Sequence, residues 1–168
     1  MTTPEQLLEP ALSEPIESGI AKYGYSMRVA SGNKNPPGVI AIPWIAGKDE
    51  NERQRIREHS KQNVENFLEE PGFFSIVTGF IGLSGFTVTA WENEDAMKSA
   101  LKKHHAVAMK ELFGDNFVSS VWTSVWKPAR INRIWVRCPS CGSLDDVSDD
   151  HRACSACSAQ LPDRPEFW

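Results

Sequence analysis

Four cysteines, Cys138, Cys141, Cys154 and Cys157, make up the whole cysteine complement, and they fall as two CxxC pairs a dozen residues apart. Each pair can clamp one side of a tetrahedral metal, and four thiolates on short turns are the donor set of a zinc ribbon. Thiolates exclude hard ions such as Mg²⁺ and Ca²⁺, which leaves zinc first and iron second. In Cys138-Pro139-Ser140-Cys141-Gly142, a residue of fixed φ and a permissive one stand where a tight knuckle needs them. Two disulfides, or one disulfide with free thiols, are the alternatives. A redox-active CPSC pair would open a helix after a strand, and two pairs at this spacing speak against that context. Four cysteines close the coordination sphere, so the metal is expected to be structural, with His151 surplus as a ligand.

Around that module the chain must make a second body. Its 168 residues are 40% hydrophobic with six tryptophans, enough for a core. No run approaches the ~18 apolar residues of a membrane span. The N-terminus is acidic and Pro-containing, without a basic n-region or apolar h-region, so no secretory signal is expected. Thiols committed to a metal suit a reducing cytoplasm. The net charge is −4, and the loop between the cysteine pairs carries Asp145, Asp146, Asp149 and Asp150. That loop, beside a thiolate-bound zinc, would repel phosphate, so nucleic acid is not an expected partner. Arg130, Arg133 and Arg137 are too few and too spaced to reverse this.

Residues 1–37 hold five prolines and no sustained periodicity, and are read as an N-terminal arm ending at Asn35-Pro36-Pro37-Gly38. Only Ile20 to Val29 looks able to dock. Residues 38–136 then alternate between strand and helix patterns. Val39 to Ile45 reads as a strand, with Pro43 pointing to an edge or a bulge. Asp49 to Glu70 reads as a helix stopped by Pro71-Gly72. Phe73 to Ile81 and Phe86 to Trp91 read as strands joined by a hairpin at Gly82 to Gly85. Asn93 caps a second helix running through Phe113, with Gly114 just past its end. Phe117 to Trp126 is a last strand with Val118, Ser120, Trp122, Ser124 and Trp126 on one face. Residues 137–168 form the cysteine module.

The order strand, helix, strand, strand, helix, strand is the split βαβ of a ferredoxin-like α+β fold, with both helices on one face of an antiparallel sheet. The strands are apolar on both faces, notably Phe73 to Val77. The uncovered face is therefore expected to bury itself against a second copy, which makes a homodimer.

The stretch Gly85 to Met97, GFTVTAWENEDAM, followed by a helix carrying His104-His105, resembles the dimeric α/β-barrel proteins of the antibiotic-biosynthesis-monooxygenase-like group. The resemblance covers about residues 38–128, with the zinc module as an addition. It implies a pocket between sheet and helices. It also implies, in part of the group, cofactor-independent oxygenation of electron-rich aromatic polyketides or quinols. The haem-degrading branch places a tryptophan and a histidine where this chain has Ala100 and Lys110, so haem is not expected.

On a helical wheel the second helix presents Met97, Leu101, His104, Ala108 and Leu112 as one stripe, with His105 toward its edge. His104 there could be a general base that deprotonates a phenol or enol, or a buried histidine bonded to a carbonyl. The first helix has a thin apolar stripe of Ile56, Val64 and Phe67. Ser60 and Asn63 interrupt it and His59 borders it, through a partly polar cavity or through weak packing. Asn63 and His105 are candidates to orient a substrate. Trp44, Trp91, Trp122 and Trp126 could line an aromatic pocket, Trp44 and Trp122 foremost, or could fill the dimer core. At Trp91 bracing of the following turn is the stronger expectation.

No nucleotide-binding, flavin or nicotinamide motif and no serine-nucleophile motif is present. Two functions compete. One is a small-molecule oxygenase acting on an aromatic or quinoid substrate. The other is a non-catalytic dimeric binding module whose zinc ribbon, with the Phe167-Trp168 end, meets another protein. A pocket holding His104 or His105 and further polar groups would distinguish them.

Overall fold

The computed structural model describes residues 26–114, 117–149 and 151–163. The larger body is a five-stranded antiparallel sheet with helices on one face. Its strands are β1 (Ser26–Ala30), β2 (Val39–Ala46), β3 (Phe73–Ile81), β4 (Ser84–Trp91) and β5 (Ser120–Trp126). They lie in the order β1-β3-β4-β2-β5. The run β3-β4-β2-β5, with helices between β2 and β3 and between β4 and β5, is the ferredoxin-like arrangement the periodicity predicts.

β1 corrects one expectation, since the end of the stretch read as an arm is a strand of the sheet. Ser26–Ala30, overlapping the Ile20 to Val29 segment expected to dock, pairs antiparallel with β3 from Ser26↔Gly79 to Ala30↔Ser75. Five residues, Ser-Met-Arg-Val-Ala, are too short to show a clear alternation, and β3 supplies the hydrogen-bonding edge that makes them a strand. Residues 1–25 and the Phe167-Trp168 end lie outside the described residues.

Pro43 is the second correction. It is in β2, which has neighbours on both sides, so it does not mark an edge. Its missing N–H shows instead as an interruption of the β2–β4 ladder, between Ala41↔Thr89 and Trp44↔Phe86. The β3–β4 hairpin follows the turn rules. Ile81↔Ser84 leaves Gly82 and Leu83 as a two-residue loop, with Gly82 at φ 59.

The helices are α1 (Glu50–Leu68), α2 (Glu94–Ala100) and α3 (His104–Gly114). Asp49 caps α1 by accepting from the Glu52 amide, and Asn93 caps α2 by accepting from the Ala96 amide, each at 2.9 Å. The single second helix expected from periodicity is broken at Leu101 to Lys103. Each residue of the break is a fair helix former, so tertiary bonds decide it. The His104 amide donates to the Asn66 side chain of α1 at 3.4 Å. Lys103 pairs with Glu70 at 2.7 Å and Glu69 at 3.7 Å. Gly114 is the last residue of α3 rather than the first beyond it.

The core between sheet and helices has two parts. Val39, Ala41, Val64, Phe67, Phe73, Ile76, Trp91, Met97 and Ala100 form one. Ile56, Phe80, Leu112 and Phe117 form the other. The opposite face of the sheet carries Ile40, Ile42, Trp44, Phe86, Val88 and Trp122, of which Trp122 is 54% exposed. The cysteine module has its own core of Val136, Cys138, Val147, Cys154 and Leu161 around β6 (Trp135–Arg137) and β7 (Leu144–Asp146). β6 straddles the residue 136/137 boundary expected between the two bodies.

Candidate functional site

Alternation along β4 sends Thr87, Thr89 and Trp91 to the helix side of the sheet. Met97 of α2, Leu101 just past its end and His105 of α3 face them. Between them lies a cavity of about 270 Å³. Ala41, Pro43, Ile76, Thr123 and Val125 complete its floor, and Ser60, Asn63 and Phe67 of α1 its roof. Among the described residues, no carboxylate, lysine or arginine lines it. The wall is apolar and aromatic with a few hydroxyls, one amide and one imidazole, a composition that suits a flat, uncharged molecule.

Two of these wall residues each bury a polar atom that meets no hydrogen-bond partner among the described residues: Asn63 Oδ1 and Trp91 Nε1. Trp91 is 1% exposed, packed edge-on against Phe67 at 5.0 Å and Phe73 at 5.2 Å between ring centroids. A buried indole N–H or amide oxygen left unpaired costs about 1–3 kcal/mol. By contrast, Ser60 Oγ donates to the Ile56 carbonyl at 2.8 Å, and Thr87 shares a 2.9 Å hydroxyl bond with Thr78.

The adjacent histidines separate. His105 lines the cavity, and burial lowers its pKa, with the nearby His104 adding to the effect. It is therefore neutral at pH 7. His104 is not in the cavity wall. Its Nε2 lies 3.0 Å from His59 Nδ1, and His59 Nε2 lies 2.8 Å from the Glu111 carboxylate. Arg55 bonds the same carboxylate and, first among several causes, lowers the Glu111 pKa. Burial lowers the His104 pKa, reinforced by His59.

Of the other expected site residues, Asn63 is in the wall and the aromatic pair Trp44 and Trp122 is not. Those two stack on the opposite face of the sheet, with ring centroids 6.3 Å apart and planes at 13°. Trp91, one of the four tryptophans offered for an aromatic pocket, is a wall residue, as are Thr87, Thr89 and Thr123, which the sequence did not single out. The alternation Thr87, Thr89, Trp91 is the signal that could have found three of them.

The four cysteines come together, with their sulfurs all within 4.8 Å of one another, as a group that could hold a metal ion. Cys138–Cys157 and Cys141–Cys154 are 3.7 and 3.5 Å apart. A disulfide needs ~2 Å, whereas a tetrahedron with ~2.3 Å metal–sulfur bonds has edges of ~3.8 Å, so the donor set fits a thiolate-bound metal. The two knuckles repeat one pattern. The Gly142 amide donates to the Cys138 carbonyl at 3.0 Å, and the Ser158 amide to the Cys154 carbonyl at 2.8 Å. Both residues take positive φ, 76 and 62.

His151 is exposed and outside the group. Asp145 does not face solvent as the charge argument assumed. It is 4% exposed and accepts from the Ser155 amide at 2.8 Å and the Ser143 hydroxyl at 3.2 Å, bracing the two halves of the module. Bonds from Ser155, ahead of the others, lower its pKa to about 2.

No family model matches the chain, and no curated protein does. Solved structures do match. A Deinococcus radiodurans protein assigned as an antibiotic biosynthesis monooxygenase superposes on 57% of this chain and 97% of its own, with 12% identity and a TM-score of 0.50. A Fusobacterium nucleatum protein assigned as a monooxygenase matches 62% of this chain and 49% of its own, with 10% identity and a TM-score of 0.51. SnoaB, a cofactor-independent oxygenase from Streptomyces nogalater, matches over 57% of this chain and 97% of its own, with 14% identity and a TM-score of 0.46. At these identities the likeness is one of fold: this chain has the mixed α+β, antiparallel-sheet architecture of the antibiotic-biosynthesis-monooxygenase-like proteins.

Proposed function

We propose that the protein is a small-molecule oxygenase that works without a flavin or nicotinamide and acts on an aromatic or quinoid substrate in the cavity between sheet and helices. The observation that carries this reading is that two residues of the wall, Asn63 on the roof and Trp91 on the floor, each bury a polar atom, Oδ1 and Nε1, without a partner. A flat molecule with a hydroxyl toward Asn63 and an oxygen toward Trp91 would satisfy both at once. The neighbours' assignment as monooxygenases supports the same class of chemistry.

His105 takes the role of general base in this reading. It is neutral, it is in the wall, and it can accept a phenolic proton to leave an electron-rich anion. His104, the other candidate, is engaged with His59. The anion then reacts with dioxygen. One oxygen atom enters the ring, the other leaves as water with two protons, and the ring carries the oxidation. The four cysteines hold a structural zinc, which adds no open coordination position to the reaction.

Two copies are proposed to pair through the apolar sheet face of Trp44, Phe86 and Trp122. A second reading, in which the cysteine module docks another protein, is favoured by one observation. Trp135 and Leu144 are more than half exposed on its hairpin.

Oxygen uptake by the zinc-loaded protein, offered a panel of hydroquinones and polycyclic phenols, tests the proposal. Uptake is expected with at least one of them, and His105→Ala should lower it by about 100-fold or more while the fold persists. No uptake across the panel, or equal uptake by the variant, would remove the oxygenase reading or the role of His105 respectively.

A further inference from the structure

Glu111, His59 and His104 form a chain of hydrogen bonds that ends beside the cavity without entering it. The Glu111 carboxylate, kept ionised by Arg55, can only accept at 2.8 Å, so His59 Nε2 carries a proton. The 3.0 Å between His59 Nδ1 and His104 Nε2 then has room for one proton. In the neutral pair His104 donates and its Nδ1 is bare.

A first added proton goes to His104 Nδ1, and the bond survives. A second must place N–H against N–H and set two cations with ring centroids 5.2 Å apart, so the bond breaks. The groups facing the pair are Glu111 and Arg55 on one side and His105 on the other, with Lys103 one residue before and occupied by Glu70. His104 is the first residue of α3, its amide is held by Asn66, and the next residue lines the cavity.

We propose that His59 and Glu111 are positioning residues for the cavity: through His104 they hold the first turn of α3 on α1, keep His105 in the wall, and release it when the histidine pair takes a second proton. This rests on the reading of the cavity as the substrate site, and acidification would then loosen that site by a defined step.

The test is long-range ¹H–¹⁵N NMR of the histidine rings in the full-length, zinc-loaded chain, from about pH 8.5 to about pH 5. In the wild type the pair should take protons in two separate steps, with the His105 signals moving sharply only at the second. His59→Leu removes the bond at every pH and should raise the His105 midpoint toward its free value by about half a unit or more. His59→Asn keeps an acceptor near the Nδ1 position but takes no proton, so the acid step should vanish and the His105 midpoint should not rise above its wild-type value.

An unchanged His105 midpoint in His59→Leu, or identical behaviour of the Leu and Asn variants, would overturn the proposal. Should the Leu variant fail to fold, Glu111→Gln decides. Loss of the carboxylate should lower the pair's first step by about half a unit, and no shift would overturn the proposal. These readouts need no turnover, so a chain with no oxygenase activity would leave the positioning role standing or falling on its own.

Discussion

Adjacent residues on one helix can have unrelated jobs, and His104 and His105 are the case here. A step of 100° separates them, enough to point one at His59 and the other into the cavity. The sequence makes both visible as imidazoles near an apolar stripe, but their division depends on what α1 presents at Asn66 and His59. Trp91 was legible as a buried strand-end aromatic. Its unpaired N–H was not, because hydrogen-bond satisfaction depends on every neighbour in the fold.

The pH dependence follows from the histidines. Burial lowers the pKa of His105 below the ordinary 6.5, so its basic form persists into mildly acidic solution. The base-dependent rate should hold level through pH 6.5 and fall only as pH drops through the lowered value, which a kcat/KM profile will show. Stability has the same sign. The unfolded chain binds protons from 6.5 downward while folded His104 and His105 resist them, so this contribution is complete above 6.5 and is lost as pH falls through the folded values.

At the scale of elements, caps and turns were read correctly where the chemistry is local. Asn93 is the clearest example, because a short polar side chain meets an amide three residues on whatever the rest of the chain does. What failed was non-local. The break at Leu101 to Lys103 comes from Asn66 of α1 and from Glu69 and Glu70 just past its end, and β1 exists because β3 offers an edge. Since α2 is only seven residues long and carries the cavity residue Met97, its cap matters. Asn93→Ala should cost about 1 kcal/mol in chemical denaturation, with the m-value unchanged.

For the whole molecule, the ferredoxin-like order and the four-cysteine group were both legible, because strand alternation and CxxC spacing are direct consequences of backbone geometry. The face on which the tryptophans lie was open in the sequence, since Trp44 and Trp122 could serve a pocket or a sheet face equally. Their stack on the side away from the helices leaves a broad apolar surface, with Trp122 54% exposed and Trp126 58%. Light scattering after gel filtration should give twice the 18.8 kDa chain mass. Trp122→Glu, which puts a charge on that face beside Trp44, should give the monomer mass with the sheet intact. A monomeric wild type would remove the dimer.

The central claim is that a flat, oxygen-bearing molecule sits between Asn63 and Trp91. The most direct measurement is the indole ¹H–¹⁵N resonance of Trp91 in the zinc-loaded protein as a hydroquinone is added. The account predicts a saturable downfield shift of that resonance, as its unpaired N–H gains an acceptor, while the resonances of Trp44 and Trp122 stay in place. A Trp91 resonance that does not move at saturating ligand, or a response confined to the outer-face tryptophans, would contradict it.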